Sequence, residues 1–295
     1  MTTDKNIPNK VRIRVEKNSN NDAINKGLEK SKIDSHPILG NSSINHFSEK
    51  PILEAVGLSK IYKVGKQLVS PVKDISLQIG YGDFVIIFGP SGAGKSTLVN
   101  ILMGIESPDV GEVFLKDESL YKYGSEERAK IRLKRFGIVT QIPYFLDQLS
   151  ILDNVALPLL LDGESKKNAT VKARKLLKSV KMGKFEKFKP RELSGGQQQK
   201  VAIARAIVND PWLIFADEPT LNLDAESVDE VINILLDANK NSGRTIIMVT
   251  HNLEFLKYSK KWFFVKDGRL WDAEDSKNPF HNIKEVVGYV KEGLE

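Results

Sequence analysis

Cysteine is absent from the 295 residues, which excludes disulfides and thiolate metal sites. Long apolar runs are missing too. The longest, such as Val155 to Leu161, falls far short of the roughly 20 residues that a bilayer-spanning helix needs. The N-terminus carries no apolar core of the secretory type, and Asp4, Glu16 and Asp22 argue against a transit peptide. The expectation is a soluble, cytoplasmic chain, with any pore supplied by another polypeptide. Large apolar residues are scarce in the first 50 positions, which are rich in Asn, Lys and Ser. Such a segment cannot bury enough surface to offset the cost of ordering it, so a disordered extension is expected over 1–50. Only Val11-Arg12-Ile13-Arg14-Val15 alternates as a short strand would. The remainder is long enough for a substantial core.

What is present begins with a glycine-rich string. Residues 89–97 read Gly89-Pro90-Ser91-Gly92-Ala93-Gly94-Lys95-Ser96-Thr97, of the form G-x-x-x-x-G-K-[ST]. Backbone N–H groups must crowd around an anion here, and side chains would block them. Gly89, Gly92 and Gly94 remove Cβ where the chain turns sharply and approaches oxygen. Lys95 can reach the β- and γ-phosphates, and Ser96 can place its hydroxyl on Mg²⁺. The preceding apolar run, Phe84 to Phe88, suits a strand buried on both faces. The following Thr97 to Met103 lacks breakers and suits a helix whose N-terminus points at the phosphates.

Two further runs end in polar groups. Trp212-Leu213-Ile214-Phe215-Ala216 runs into Asp217 and Glu218, and Pro219 stops the strand. A buried strand ending at a phosphate site can offer one carboxylate to Mg²⁺ and another to water. Asp217 fits the metal role, and Glu218 fits the base that orients the attacking water. Two solvated acids at a strand end are the plain alternative. Thr245 to Thr250 is a β-branched run that ends in His251, one of four histidines. It falls where such sheets place ligands, beyond the carboxyl ends of the strands, and a γ-phosphate contact is expected.

Residues 193–200 read Leu-Ser-Gly-Gly-Gln-Gln-Gln-Lys. With the preceding motifs, in this order and spacing, the chain resembles the ATP-binding subunit of an ABC transporter over roughly residues 52–270. The resemblance implies an α/β fold: a P-loop NTPase core of the RecA-like kind, with an antiparallel β subdomain and an inserted helical subdomain at about 142–195. The ATP-binding domain as a whole would span 51–295. The resemblance also implies roles. Tyr62 matches the aromatic that stacks on adenine. Gln141 matches the glutamine linking the metal site to the transmembrane partner. Ser194, Gly195, Gly196 and Gln197 belong to the family's own motif. Asp217 and Glu218 match the metal-binding aspartate and the catalytic glutamate. Asp224 matches the loop that crosses the dimer interface, and His251 the switch histidine. ATP and Mg²⁺ are the implied cofactors, with metal contacts from Ser96, Gln141 and Asp217, and catalysis by Glu218, His251 and Lys95. The implied partners are a second copy, head to tail around two ATP, and a transmembrane permease. No nucleic acid is expected. The implied place is the cytoplasmic face of the cell membrane.

The residues of the signature stretch agree with this. Small residues at a helix start make an anion site. Val201, Ile203, Ala204, Ile207 and Val208 also make it a core helix. Upstream, Val171, Leu176, Leu177 and Val180 form an apolar helical stripe. Lys166 to Arg191 carries eleven Lys or Arg against one acid, Glu186, a local +10 in a chain of total charge +6, so the remainder sums to −4. That is either a solvated face or an attraction to anionic headgroups. Ile283, Val286, Val287 and Val290 predict a short C-terminal helix.

The stretch from Glu192 to Ala206, and Asp153 to Leu160, resemble the lipoprotein-release and macrolide-export branch, whose motif usually has Arg where this chain has Lys200. Members drive export or extraction from the membrane, and close relatives instead transmit a cell-division signal. Thr140 stands where the branch has Phe, and Leu221 where it has Gly. A chromosome-structure ATPase would need a long coiled coil between Gln141 and Leu193, and the gap is too short. A translation factor would carry two cassettes, and each motif occurs once.

Overall fold

The computed structural model describes residues 50–272, with Glu285 and Gly288 beyond them. In chain order, Leu53–Val64 (β1) and Gln67–Ile79 (β2) form a long hairpin turning at Gly65, whose φ of 62° suits glycine. Phe84–Phe88 (β3) leads through the glycine-rich string into Lys95–Leu102 (α1). Val110–Leu115 (β4) and Glu118–Ser119 (β5) follow, then Ser125–Arg135 (α2), which runs directly into Phe136–Val139 (β6). The next stretch is helical: Ile151–Leu161 (α3), Lys166–Ser179 (α4) and Gly195–Ile207 (α5). Leu213–Asp217 (β7), Ala225–Lys240 (α6), Thr245–Val249 (β8), Lys261–Lys266 (β9) and Arg269–Asp272 (β10) complete the order.

Two sheets result. β2-β1-β4-β5 is antiparallel throughout, and β10-β9-β3-β8-β7-β6 is parallel except for the β10 edge. β3, β7 and β8 are apolar without alternation because both of their faces are covered. Side chains divide by the period of two. Val85 and Ile87 join Phe215, Val249 and α1 in a core shared with the antiparallel sheet. Phe84, Ile86 and Phe88 join Ala216, Met248 and α3–α6 in the core on the other side. The expected strand at 84–88 and the expected burial of Val201, Ile203, Ala204, Ile207 and Val208 are both observed.

The helices start where capping residues stand. Ser150, Ser194 and Asp224 accept hydrogen bonds from the backbone N–H groups of Asp153, Gln197 and Ser227. In α4 one expectation is corrected. Leu176, Leu177 and Val180 are buried together with Ala169 and Ala173, but Val171 is 60% exposed. Two residues at about 100° each carry it round from Ala169 to the opposite side of the helix. The short strand at 11–15, most of the extension over 1–50, and the helix expected over 282–290 lie outside the described residues, apart from Lys50, Glu285 and Gly288.

Candidate active site

Register brings the site together. Asp217 is level with Val249, and Val249 with Ile87, so the carboxyl ends of β7, β8 and β3 open at one height. There a cavity of about 860 Å³ is lined by every residue from Gly89 to Thr97, by Gln141, Asp217, Glu218 and His251, and by Pro71, Leu221, Val249, Phe264 and Lys266. That volume is within the range of small-molecule sites.

The glycine-rich string can take its shape only as glycine at two points. Gly89 has φ 150° and Gly94 φ 103°, and a Cβ at either would collide with a backbone carbonyl oxygen, of Val265 and Pro71 respectively. Backbone walls cannot swing aside as a side chain would. Gly94→Ala is therefore expected to cost about 1–3 kcal/mol of stability, lowering the thermal midpoint by several degrees, and to weaken nucleotide binding. Parallel thermal melts and calorimetric titrations check both. Lys95 opens α1, and its Nζ donates to the carbonyl oxygens of Gly89 and Pro90, each at 2.8 Å. Burial draws its pKa below the ordinary lysine value, opposed by the charges of Glu218 and Asp217.

The two acids after β7 differ. Burial pushes the Asp217 carboxyl above its ordinary value, the charge of Glu218 adds to this, and Lys95 opposes it. Glu218 leaves the strand with φ 46°, a left-handed conformation rare for a residue with a side chain. Its N–H donates to Val249 O at 2.9 Å, which fixes it against β8. One carboxylate oxygen, Oε1, lies 3.0 Å from His251 Nδ1. A carboxylate only accepts, so the geometry places the imidazole proton on Nδ1. Among the described residues no group of three or more His, Asp or Glu could hold a metal alone. Ser96, Gln141 and Asp217 nevertheless offer hydroxyl, amide and carboxylate oxygens to the same cavity, the hard donors that Mg²⁺ takes alongside phosphate.

Other expected site residues are not in the cavity lining. Tyr62 stands beside it: its hydroxyl donates to Glu106 Oε1 and also meets the Thr97 side chain. Burial, then the bond to Glu106, raises its pKa. Ser194, Gly195, Gly196, Gln197 and Asp224 lie apart from the cavity but next to each other. A Cβ on Gly196 would strike Ser227 Oγ, and one on Gly195 would meet Leu223. The signature motif and the Asp224 loop thus form one surface, with the Ser194 and Asp224 caps side by side. Residues 140–146 are held against α5. Gln199, which is buried, donates to Thr140 O at 3.3 Å, and Arg205 donates to Tyr144 O while covering the Phe145 ring.

Sequence reasoning missed Pro71, Leu221, Val249, Phe264 and Lys266 in the cavity. Lys266 carries no local sequence signal, and strand register brings it in. β9 runs parallel to β3 with Phe264 level with Phe88, so Lys266 stands two residues further on, level with Pro90.

A parallel sheet whose β3 ends in a phosphate loop, with an acid pair after β7 and a histidine after β8, defines a P-loop nucleoside triphosphatase. The family model described as ABC transporter matches residues 72–221. An ABC transporter ATP-binding protein of Methanocaldococcus jannaschii is 45% identical over 219 residues, covering 74% of this chain and 97% of its own length. One from Thermotoga maritima is 39% identical over 225 residues, covering 76% and 96%. Among solved structures, an ATP-binding cassette in a dimeric post-hydrolysis state with ADP and Pi is 34% identical, with a TM-score of 0.70, over 76% of this chain and 99% of its own. The cbiO1 protein of Clostridium perfringens, part of the ABC transporter complex cbiONQ, is 28% identical with a TM-score of 0.69, over 81% and 92%. The chain belongs to the ABC transporter family, as an ATP-binding subunit and ATPase. Among the described residues no helix is long and apolar enough to cross a membrane.

Proposed function

We propose that two copies of this ATPase close head to tail around two ATP and drive a separate transmembrane permease from the cytoplasmic face of the cell membrane. The likeness to the lipoprotein-release and macrolide-export branch favours export or extraction of a substrate from the membrane. The ATP-binding domain is taken to begin near residue 51, with the helical subdomain inserted at about 142–195. The observation that carries the two-chain reading is spatial. One chain's phosphate loop, acids and histidine share a cavity, while its Ser194–Gln197 and Asp224 surface is not part of that lining, which supports its serving another chain's nucleotide. The solved relative with ADP and Pi is a dimer, which supports the same arrangement.

This reading assigns the roles. ATP phosphates seat on the backbone N–H groups of 89–97 and on the α1 N-terminus. Lys95 turns from the Gly89 and Pro90 carbonyls to the phosphates. Ser96, Gln141 and Asp217 would hold Mg²⁺, which when bound neutralises phosphate charge. Glu218 keeps Oε1 on His251, leaving Oε2 to accept a proton from the attacking water. Water adds to the γ-phosphorus, the bond to the β–γ bridging oxygen breaks, and ADP and phosphate leave. Ser194, Gly195 and Gly196 of the partner copy close on the γ-phosphate from the other side, and Tyr62 stacks on adenine.

Lys95→Ala tests the phosphate contact. The lysine charge meets phosphate in both ground and transition states, so ATP affinity and hydrolysis are expected to fall together by at least tenfold. Undiminished calorimetric affinity for ATP removes Lys95 from the site. The pairing itself is tested by dilution: specific activity of the isolated subunit is expected to rise with its concentration. Constant specific activity down to high dilution, with a monomer seen by light scattering in ATP, overturns it.

A further inference from the structure

α4 has two unlike sides. Ala169, Ala173, Leu176 and Leu177 face the core. The opposite side carries Lys167, Lys175 and Lys178, all exposed, with Val171 among them. At 1.5 Å per residue these lysines span roughly 16 Å of surface. The helix end just before them adds Leu161, 66% exposed.

Acids are scarce within the segment itself. The lone acid between Lys166 and Arg191 is Glu186, and it is already committed: Arg174 Nε donates to it at 2.7 Å. That bond, then the Arg174, Lys187 and Lys178 charges, hold its carboxyl below the ordinary value. One carboxylate thus serves three cations. From outside the segment, Glu164 pairs with Lys172 and Asp147 with Arg191. The excess is local to this segment, because the rest of the chain sums to −4. Lysine ammonium groups on flexible stems around an exposed valine suit phosphate headgroups at an acyl boundary. Nucleic acid would be expected to meet stacking aromatics, and α4 has none.

We propose that the outer face of α4 docks on an anionic lipid surface. The docking is independent of ATP turnover, so its test and that of the proposed function fail separately. Flotation of the full chain with vesicles compares phosphatidylcholine alone with phosphatidylcholine and phosphatidylglycerol in equal parts. Binding is expected only to the mixed vesicles, and it should vanish towards about 1 M salt, where the Debye length is about 3 Å. At roughly fivefold per lysine, neutralising Lys167, Lys175 and Lys178 as glutamines is expected to weaken vesicle binding about a hundredfold while basal ATP hydrolysis stays unchanged. Val171→Asp, a single exposed change, should weaken it about tenfold and keeps the test open should the triple variant misfold. Equal binding to both vesicle types overturns the proposal, as does undiminished binding by both variants. So does capture of the chain by soluble polyglutamate but not by vesicles, which would assign the face to an acidic protein.

Discussion

Glu218→Gln is expected to bind ATP normally and to hydrolyse it at least a hundredfold more slowly. The amide keeps the shape of the side chain and the contact to His251, but it cannot accept a proton at neutral pH. A positioned base contributes about 10²–10⁴ in rate, which sets the size of the loss. Because binding survives and cleavage does not, the closed pair should accumulate: a dimer peak in ATP by size exclusion, returning to monomer in ADP. Near-normal turnover would remove Glu218 from the chemistry and leave its left-handed backbone without a catalytic reason. His251→Ala offers a companion measurement. It frees Oε1 and should slow turnover by a smaller factor than Glu218→Gln, since it misplaces the base without removing it.

The second large effect is a rescue. Ser194→Arg is expected to abolish hydrolysis by filling the space where the partner's γ-phosphate must come, while leaving the variant's own phosphate loop intact. Lys95→Ala abolishes it from the other side. Mixed in equal amounts, half of the pairs combine the two variants. Each mixed pair has one site with both lesions and one with neither if, as proposed, loop and signature motif come from different chains. About a quarter of wild-type activity should return if the sites fire independently. No recovery, with mixed pairs demonstrated by differential tagging, would mean that both sites must fire together or that each chain is complete alone. Covalently linking the two copies separates those outcomes, since a complete chain would stay half active beside a dead one.

Much of the fold was legible because local chemistry and global structure agree. The run at 84–88 has no polar residue for either face, so it had to be a central strand. Ser194 caps the helix expected at the signature stretch, which begins at the next residue. The string from Gly89 to Thr97 needs only its own spacing to be read. What was not legible depends on register between distant strands. Phe264 and Lys266 join the cavity because β9 lies beside β3, a neighbour some 180 residues away in sequence. Leu221, read only as a departure from the export branch's Gly, is a wall of the cavity. Val171 failed for a local reason. Its apolar character fitted a stripe, and only the angular position, half a turn from Ala169, puts it in solvent.

The two bonds that tie residues 140–146 to α5 carry a thermodynamic obligation. Gln199 and Arg205 fasten this segment to the helix that begins at Ser194. Ile142, Tyr144 and Leu146 on the same segment are exposed. A molecule that grips those three side chains and shifts the segment is expected to shift Ser194 with it, and so to change the affinity of the proposed closed pair for ATP by some factor. Linkage makes the factor mutual: ATP must change that molecule's affinity for the subunit by the same ratio. A nucleotide-independent affinity would mean that the segment moves without the helix. Gln199→Leu combined with Arg205→Met, which keep the bulk and remove both donors, should bring that state about.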